Sequence, residues 1–286
     1  MAIVILSLLV AIMLPAIQAA RESARAATCR SNLHQIGIAT GNYETVWSSY
    51  PTAWPDPHFV ALLPYLDAEA YYREILAHRA TPWQRRPRNW KPMASPPAVY
   101  RCPSGGDDQS YSVNYGVGVN DTPWLEFSVN GFCCGTTKSP VGPRDISDGL
   151  SQTAAYSEHL VTWWVDDNDP RMDRMRFSWS VSPPFPYPAT VAQIVERCSN
   201  VQATRERRDV GVNSEQYLHF MPPNSFNCHE SEDGASQYFV TTASSEHGGF
   251  VNVAFIDAHV RDIANRVNLD VWQAIGTRNG NDKVEF

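Results

Sequence analysis

The chain has 286 residues, of which 43% are hydrophobic and 19% are charged, so it can form one large domain or two small ones with a real core. Its 30 acidic side chains outnumber its 23 basic ones, which gives a formal net charge of −7 at pH 7. This acidic net charge favours a soluble body. It excludes the class of proteins that bind nucleic acid through a basic face.

The first 20 residues carry no charged side chain, and Arg21 and Glu22 end this apolar run. A helix needs about 20 apolar residues to cross the hydrocarbon core of a bilayer. A cleaved signal peptide would have a positively charged start, but no Lys or Arg precedes Arg21. Residues 16–20 nevertheless match a cleavage site weakly. A signal peptide therefore stays open as an alternative to a membrane helix. The residues expected to line the membrane helix are Ile3, Ile5, Leu6, Leu8, Leu9, Ile12, Leu14, Pro15 and Ile17.

An amphipathic helix is predicted to continue the apolar run to about Trp47. Its stripe recurs every three or four residues: Ala26, Cys29, Leu33, Ile36, Thr40, Tyr43 and Trp47. We therefore predict one helix over residues 1–47, roughly 70 Å long at 1.5 Å per residue. Pro15 should kink it, because proline lacks the backbone N–H and clashes with the preceding turn. The remaining residues, 48–286, are expected to form a globular head with loop-rich insertions.

Short elements are predicted along the head. Residues 59–77 indicate a helix that Pro64 starts or breaks. The predicted β-segments are 98–101, 111–119, 153–157, 160–165, 176–181, 238–242, 250–256 and 259–263. A last helix is predicted over residues 269–275, with Asn268 as its N-cap and Gly276 as its stop. This order predicts an α+β fold in which the long helix packs on an antiparallel sheet.

The hairpin predicted by residues 250–263 has Asp257-Ala258 at its turn. Asp-Gly is a favoured two-residue turn because it requires positive φ. Alanine in that conformation costs roughly 1 kcal/mol relative to glycine, so we expect slight strain or a different turn.

The cysteines form an even set of six, which beside an export-like segment favours disulfides over free thiols. Zinc ligation is the alternative, but no Cys-x-x-Cys pair occurs and two of the cysteines are adjacent, which is poor ligand spacing. The pairing stays open, since six cysteines allow about 15 connectivities. The disulfide candidates are Cys29, Cys102, Cys133, Cys134, Cys198 and Cys228.

Sequence motifs of known catalytic chemistry do not occur in the chain. It has no nucleophile elbow, zinc-protease helix, phosphate-binding loop or dinucleotide fingerprint, so we predict that it is not an enzyme. The best ligand candidate is the carboxylate group of Asp166, Asp167 and Asp169, which suits calcium but lacks the spacing of an EF-hand loop. A solvated acidic turn is the alternative. The nearby Trp163 and Trp164 suit either sugar stacking or burial in a core or interface.

Several motifs spread along the chain occur together and in order. They are Leu14-Pro15-Ala16-Ile17-Gln18-Ala19-Ala20-Arg21-Glu22, Cys29-Arg30-Ser31-Asn32-Leu33, Leu62-Leu63-Pro64-Tyr65-Leu66, Cys102-Pro103-Ser104, Asp148-Gly149-Leu150-Ser151-Gln152-Thr153 and Trp272-Gln273-Ala274-Ile275-Gly276. In this the chain resembles the pilin-like proteins abundant in planctomycete bacteria, whose C-terminal domain is named for a His, nine residues and Asp-Gly. Here His247 and Asp257 have nine residues between them, and Ala258 replaces the glycine. We expect this motif to be structural and not catalytic.

The resemblance implies a prepilin-type helix like those of type IV pilus subunits and type II secretion pseudopilins. Such a helix holds the protein in the inner membrane with its head exported, and later bundles with other copies in a periplasmic or extracellular filament. The partner is then the protein itself, and the apolar residues named above form the filament core. Some pseudopilins bind calcium, which implies that ion as the one candidate cofactor. Family members usually begin with a Gly-Phe-Thr-Leu-x-Glu segment, for which this sequence has no counterpart.

A surface binding module is the alternative function. The same anchor would then display a monomer whose tryptophan-rich loops capture a glycan or another solute.

Overall fold

The computed structural model of the protein describes residues 2–51, 58–80, 97–105, 115–119, 130–132, 140–160, 178–181, 191–200, 216–230 and 239–280. The helices in these ranges are α1 (Ala2–Trp47), α2 (His58–Leu62), α3 (Glu69–Ala80), α4 (Val191–Ser199) and α5 (Leu269–Ile275). The strands are β1 (Tyr115–Val119), β2 (Ala154–Glu158), β3 (Ser178–Val181), β4 (Gln216–Leu218), β5 (Asn227–Glu230), β6 (Phe239–Val240), β7 (Phe250–Phe255) and β8 (Val260–Ala264).

Helix α1 has two halves with different surroundings. Its large apolar side chains from Ile3 to Ile17 are 45–83% exposed. Its second half packs on the head, where Cys29, Leu33 and Ile36 of the predicted stripe are fully buried, whereas Trp47 at the end of that stripe is 62% exposed. The helix continues through Pro15 without local melting, and the kink there stays a prediction.

The main sheet has five strands in the order β4-β1-β2-β7-β8. The pairs β1–β2, β2–β7 and β7–β8 are antiparallel, which confirms the α+β class. Strand β4 instead pairs with β1 in parallel, and a second sheet of order β3-β5-β6 begins with a parallel pair. The purely antiparallel prediction was wrong at these edges because long connections, and not hairpins, deliver the strands.

The sheet has a core on each face. On one face α1 and α2 pack against β2, around Leu33, Ile36 and Tyr156. On the other face α5 packs against β7, around Phe255 and Trp272. Burial on both faces explains why β7 is almost entirely apolar.

Two predicted elements differ in the structure. Residues 98–101 do not form a strand; Ala98–Tyr100 is a 3-10 turn that lets the buried Tyr100 hydroxyl donate to the Phe59 carbonyl at 2.7 Å. The helix predicted over 59–77 is divided into α2, a 3-10 turn at Leu63–Tyr65 and α3. Pro64 lies in that turn, where its missing N–H is not needed. Helix α4 and strands β4 and β5 were not predicted.

The turn of the β7–β8 hairpin has the positive φ that the sequence predicted, with φ +70° at Ala258. This turn rests on α1: a ring nitrogen of His34 donates to the Ala258 carbonyl at 2.7 Å. Gly37 lies beneath it, since a Cβ on Gly37 would come within 2.8 Å of the Ala258 Cα and Cβ. The helix therefore needs glycine at this point to let the turn approach.

This contact predicts opposite effects for two substitutions. Ala258→Gly should raise the free energy of unfolding by up to about 1 kcal/mol, because glycine adopts positive φ freely. Gly37→Ala should lower it by about 1–3 kcal/mol, because the added methyl overpacks the contact. Guanidinium unfolding of the full chain in detergent measures both. Gly41→Ala is the matched control, since a Cβ there meets nothing within 4 Å and should stabilise the helix by about 0.5–1 kcal/mol.

Candidate functional site

A buried histidine joins α1 to the head at the point where the apolar half of the helix ends. Its three parts come from distant segments: Glu22 from α1, Glu158 from the end of β2, and His247 from the loop before β7. Because β2 and β7 are antiparallel neighbours, the end of β2 lies beside the start of β7. The long helix crosses this point two residues after Ala20, the last residue of the apolar run.

His247 lies between two carboxylates. Its Nδ1 is 2.8 Å from Glu22 Oε1, and its Nε2 is 3.0 Å from Glu158 Oε1. Its ring also stacks on Phe250, with centroids 5.2 Å apart. Burial alone would lower the pKa of His247, but the hydrogen bonds and charges of Glu158 and Glu22 outweigh burial and raise it. Both ring nitrogens then donate, so the side chain is an imidazolium.

Glu158 is the buried anchor of this group. Its Oε2 accepts the backbone N–H of Asn252 at 2.9 Å, and its Oε1 accepts the Asn252 side-chain amide at 3.0 Å. With His247 as a third donor, the carboxylate is fully paired although its side chain is only 2% exposed. A buried charge with this many donors is strongly held in one position.

Glu22 is the outer member and is 37% exposed. The Ser104 hydroxyl donates to its Oε1 at 2.8 Å, and Arg25 lies 3.6 Å from its Oε2. Burial opposes ionisation of Glu22, but the hydrogen bonds from Ser104 and His247 and the nearby positive charges together lower its pKa. The carboxylate therefore pairs with the imidazolium at neutral pH.

A disulfide closes the other side of the group. Cys29 of α1 is bonded to Cys102, and the Cys102 Sγ lies 3.5 Å from His247 Nε2. A second disulfide joins Cys198 of α4 to Cys228 of β5. Disulfide formation was correctly predicted for these four cysteines. The remaining candidates, Cys133 and Cys134, lie outside the described residues.

The family model SBP_bac_10, described as "Protein of unknown function (DUF1559)", matches residues 18–270. The chain belongs to this family. The matched range contains Glu22, Glu158, His247 and both disulfides, and it begins inside the apolar run. No curated protein and no solved structure matches the chain.

The two residues of the His-nine-residues-Asp motif lie at opposite ends of β7 in this DUF1559 chain and do not form a common site. His247 contacts Glu22 at one point of α1. Asp257 accepts the backbone N–H of His259 at 3.2 Å, in the turn that rests on α1 at Gly37. The motif therefore sets the distance between two contacts that the ends of β7 make with α1. This fits the structural role expected from the sequence.

The apolar residues expected to line a membrane helix all lie on the exposed half of α1. Within the described residues, this is the helix long and apolar enough to cross a membrane, and a signal sequence would meet the same criteria. The protein thus carries an N-terminal segment suited to a membrane anchor or a signal sequence.

The predicted ligand sites fall elsewhere. Asp166, Asp167 and Asp169 lie outside the described residues, as do Trp163 and Trp164. Calcium binding and glycan binding stay predictions.

Sequence reasoning missed Glu22 and Glu158 as partners of His247. One signal was present for Glu158, which ends a strand of otherwise small and aromatic residues that is buried throughout. A carboxylate in such a strand needs a buried donor, because an unpaired charge does not persist in a core. A second signal was Glu22, the first acidic residue after the apolar run.

Proposed function

We propose that the protein is a membrane-anchored structural subunit that assembles into a filament through the apolar half of α1 and displays its head outside. The observation that carries the proposal is the exposure of large apolar side chains from Ile3 to Ile17, which the head does not cover. The proposal includes no catalytic role, and it places the head on the exported side of the inner membrane before assembly.

The size of this apolar surface determines where it is stable. Burying a Leu or Ile side chain is worth about 1.5–3 kcal/mol relative to water, so the whole segment strongly disfavours an aqueous state. Lipid satisfies these side chains before assembly. A helix that leaves lipid needs other apolar helices around it, and further copies of this chain supply an identical surface.

The link between helix and head supports the same proposal. The ion pair of Glu22 with His247 and the Cys29–Cys102 disulfide attach the head to α1 directly after the apolar half. Closing a loop of 73 residues with a disulfide stabilises the folded state by about 4 kcal/mol in the chain-entropy view. A helix packed in a bundle therefore keeps its head attached in a fixed place.

Removal of residues 2–20 tests the proposal. The shortened chain should be a soluble monomer in sedimentation, whereas the full chain should require detergent and form filaments visible by electron microscopy when detergent is removed. Leu150→Ser is the control, because it removes an exposed apolar side chain from the head and should leave assembly intact. Filaments from the shortened chain, or a full chain that stays monomeric without detergent, would contradict the proposal.

A further inference from the structure

We propose that the protein binds one Zn²⁺ ion when its Cys29–Cys102 disulfide is reduced. The ligand atoms are the Sγ atoms of Cys29 and Cys102, the Nε2 atom of His247 and the Oε1 atom of Glu158. This site is independent of the proposed filament function. It exchanges a covalent link between α1 and the head for a metal link at the same place.

The geometry of the four atoms carries the proposal. They all lie within 4.8 Å of one another. Tetrahedral zinc has bonds of about 2.3 Å to sulfur and about 2.0 Å to nitrogen or oxygen, which places neighbouring ligand atoms roughly 3–4 Å apart. His247 Nε2 is already 3.5 Å from Cys102 Sγ and 3.0 Å from Glu158 Oε1. Once the S–S bond is open, small side-chain rotations of the two cysteines complete the tetrahedron.

The groups behind the ligands are those that a zinc site needs. A metal-binding histidine usually donates its other ring nitrogen to a carboxylate, which fixes the ring and makes it a better ligand. Glu22 fills this role on His247 Nδ1 at 2.8 Å, and Ser104 holds Glu22 in turn. Asn252 holds Glu158 by its Oε2 at 2.9 Å, which orients Oε1 toward the site.

Burial allows the two sulfurs to ionise only with a cation beside them. All four ligand residues are buried. Two thiolates and a carboxylate would carry three negative charges into a medium that does not solvate them, and a divalent cation offsets two of these. The zinc form is therefore the way in which this site can hold both sulfurs as thiolates.

The chemistry balances with a dithiol reductant. The reductant breaks the Cys29–Cys102 bond, becomes a disulfide itself, and leaves two protonated thiols. Zinc then displaces one proton from each thiol and one from Nε2 of the His247 imidazolium, while Nδ1 keeps its proton for Glu22. Three protons are released per zinc bound. A small-molecule disulfide such as oxidised glutathione re-forms the Cys29–Cys102 bond by thiol–disulfide exchange, is itself reduced to two thiols, and so expels the ion.

The ligands are dispersed over the whole sequence, which is why Cys-x-x-Cys spacing gave no indication of them. They come from α1, from the turn after Tyr100, from the end of β2 and from the loop before β7. Only the fold brings them together.

The test uses the full chain in detergent with four cysteines replaced by serine, so that only Cys29 and Cys102 remain. The replaced positions are Cys133, Cys134, Cys198 and Cys228. After reduction, we expect one equivalent of zinc per chain by metal analysis, release of three protons, and a thiolate-to-metal absorption band when Co²⁺ replaces zinc. The oxidised protein should bind none. A reduced protein that binds no stoichiometric zinc, or shows no thiolate band with cobalt, overturns the proposal.

Two variants locate the site. His247→Gln should abolish stoichiometric binding, and its fold is checked by circular dichroism in the oxidised state. Glu22→Gln alters only the half-exposed carboxylate behind the histidine and should weaken zinc binding about 10–100-fold. Glu196→Gln, an exposed change on α4, is the matched control and should leave affinity unchanged. If the Glu22→Gln protein and the control bind zinc with equal affinity, the metal binds at a different site and the proposal is overturned.

Discussion

The substitution Glu158→Ala is expected to lower the free energy of unfolding by about 3–5 kcal/mol, because it leaves buried donors without an acceptor and leaves His247 with only the half-exposed Glu22 as its counter-charge. The Nε2–H of His247 would lose its acceptor in a site that water does not reach. The backbone N–H of Asn252 would lose its acceptor as well. The effect should be among the largest of any single change in the head, since one carboxylate serves three donors from two elements.

Guanidinium unfolding of the oxidised full chain in detergent measures this loss. Glu158→Gln keeps an oxygen for Asn252 but not the charge, so its loss should lie between those of the wild type and the alanine variant. Glu196→Ala is the control, because its exposed side chain on α4 should change stability by no more than about 0.5 kcal/mol. A Glu158→Ala loss as small as that of the control would show that the buried group does not stabilise the fold.

Elements whose signals are local in sequence were predictable. Helix α5 has the predicted bounds, and the Asn268 side chain accepts the Asp270 N–H at 2.8 Å as an N-cap should. Gly276 ends α5 as predicted but for a different reason. Its φ is −77°, and glycine is required because a Cβ there would lie 2.5 Å from the His219 ring.

The candidate site was less predictable because its contacts are long-range. His247 is separated by 225 residues from Glu22 and by 89 residues from Glu158. Helical periodicity identifies the face of α1 that packs on the head, but it does not say which strand end lies opposite each turn. The same limit applies to β4, a three-residue strand whose pairing with β1 depends on a distant return of the chain.

Acidification from pH 7 to 4.5 is expected to lower the free energy of unfolding by about 5 kcal/mol through two buried histidines, at 1.36 kcal/mol per pKa unit. Burial lowers the pKa of His58 to about 3 and that of His219 to about 3. An unfolded chain takes up these protons below its own pKa of about 6.5, whereas the folded chain does not. The stability that they contribute is therefore complete above pH 6.5 and is lost as the pH falls toward 3.

The contacts of the two histidines explain why they stay neutral. His58 Nε2 is 2.6 Å from the Tyr156 hydroxyl, which in turn lies 2.6 Å from Thr40 of α1. Thr40 donates its own proton to the Ile36 carbonyl at 2.8 Å, so Tyr156 donates to Thr40 and His58 donates to Tyr156. This chain of hydrogen bonds needs only one N–H on the His58 ring. A second ring proton would place a positive charge in the apolar core between α1 and the sheet. His219 likewise donates from Nδ1 to the Trp272 carbonyl at 2.8 Å, on the opposite face.

Unfolding curves at pH 7, 6, 5 and 4.5 measure the pH dependence of stability. Two variants measure how much of it each histidine contributes. His58→Gln and His219→Gln remove the titrating group while leaving an amide able to donate, so each should reduce the loss of stability between pH 7 and 4.5 by about 2.5 kcal/mol. Gln35→Ala, an exposed change on α1 that removes no titrating group, should leave the slope of stability against pH unchanged. Because the two histidines lie on opposite faces of the sheet, their contributions should add in the double variant. A slope that stays the same in both single variants would place the acid sensitivity in other groups, and the assignment to these two buried rings would be wrong.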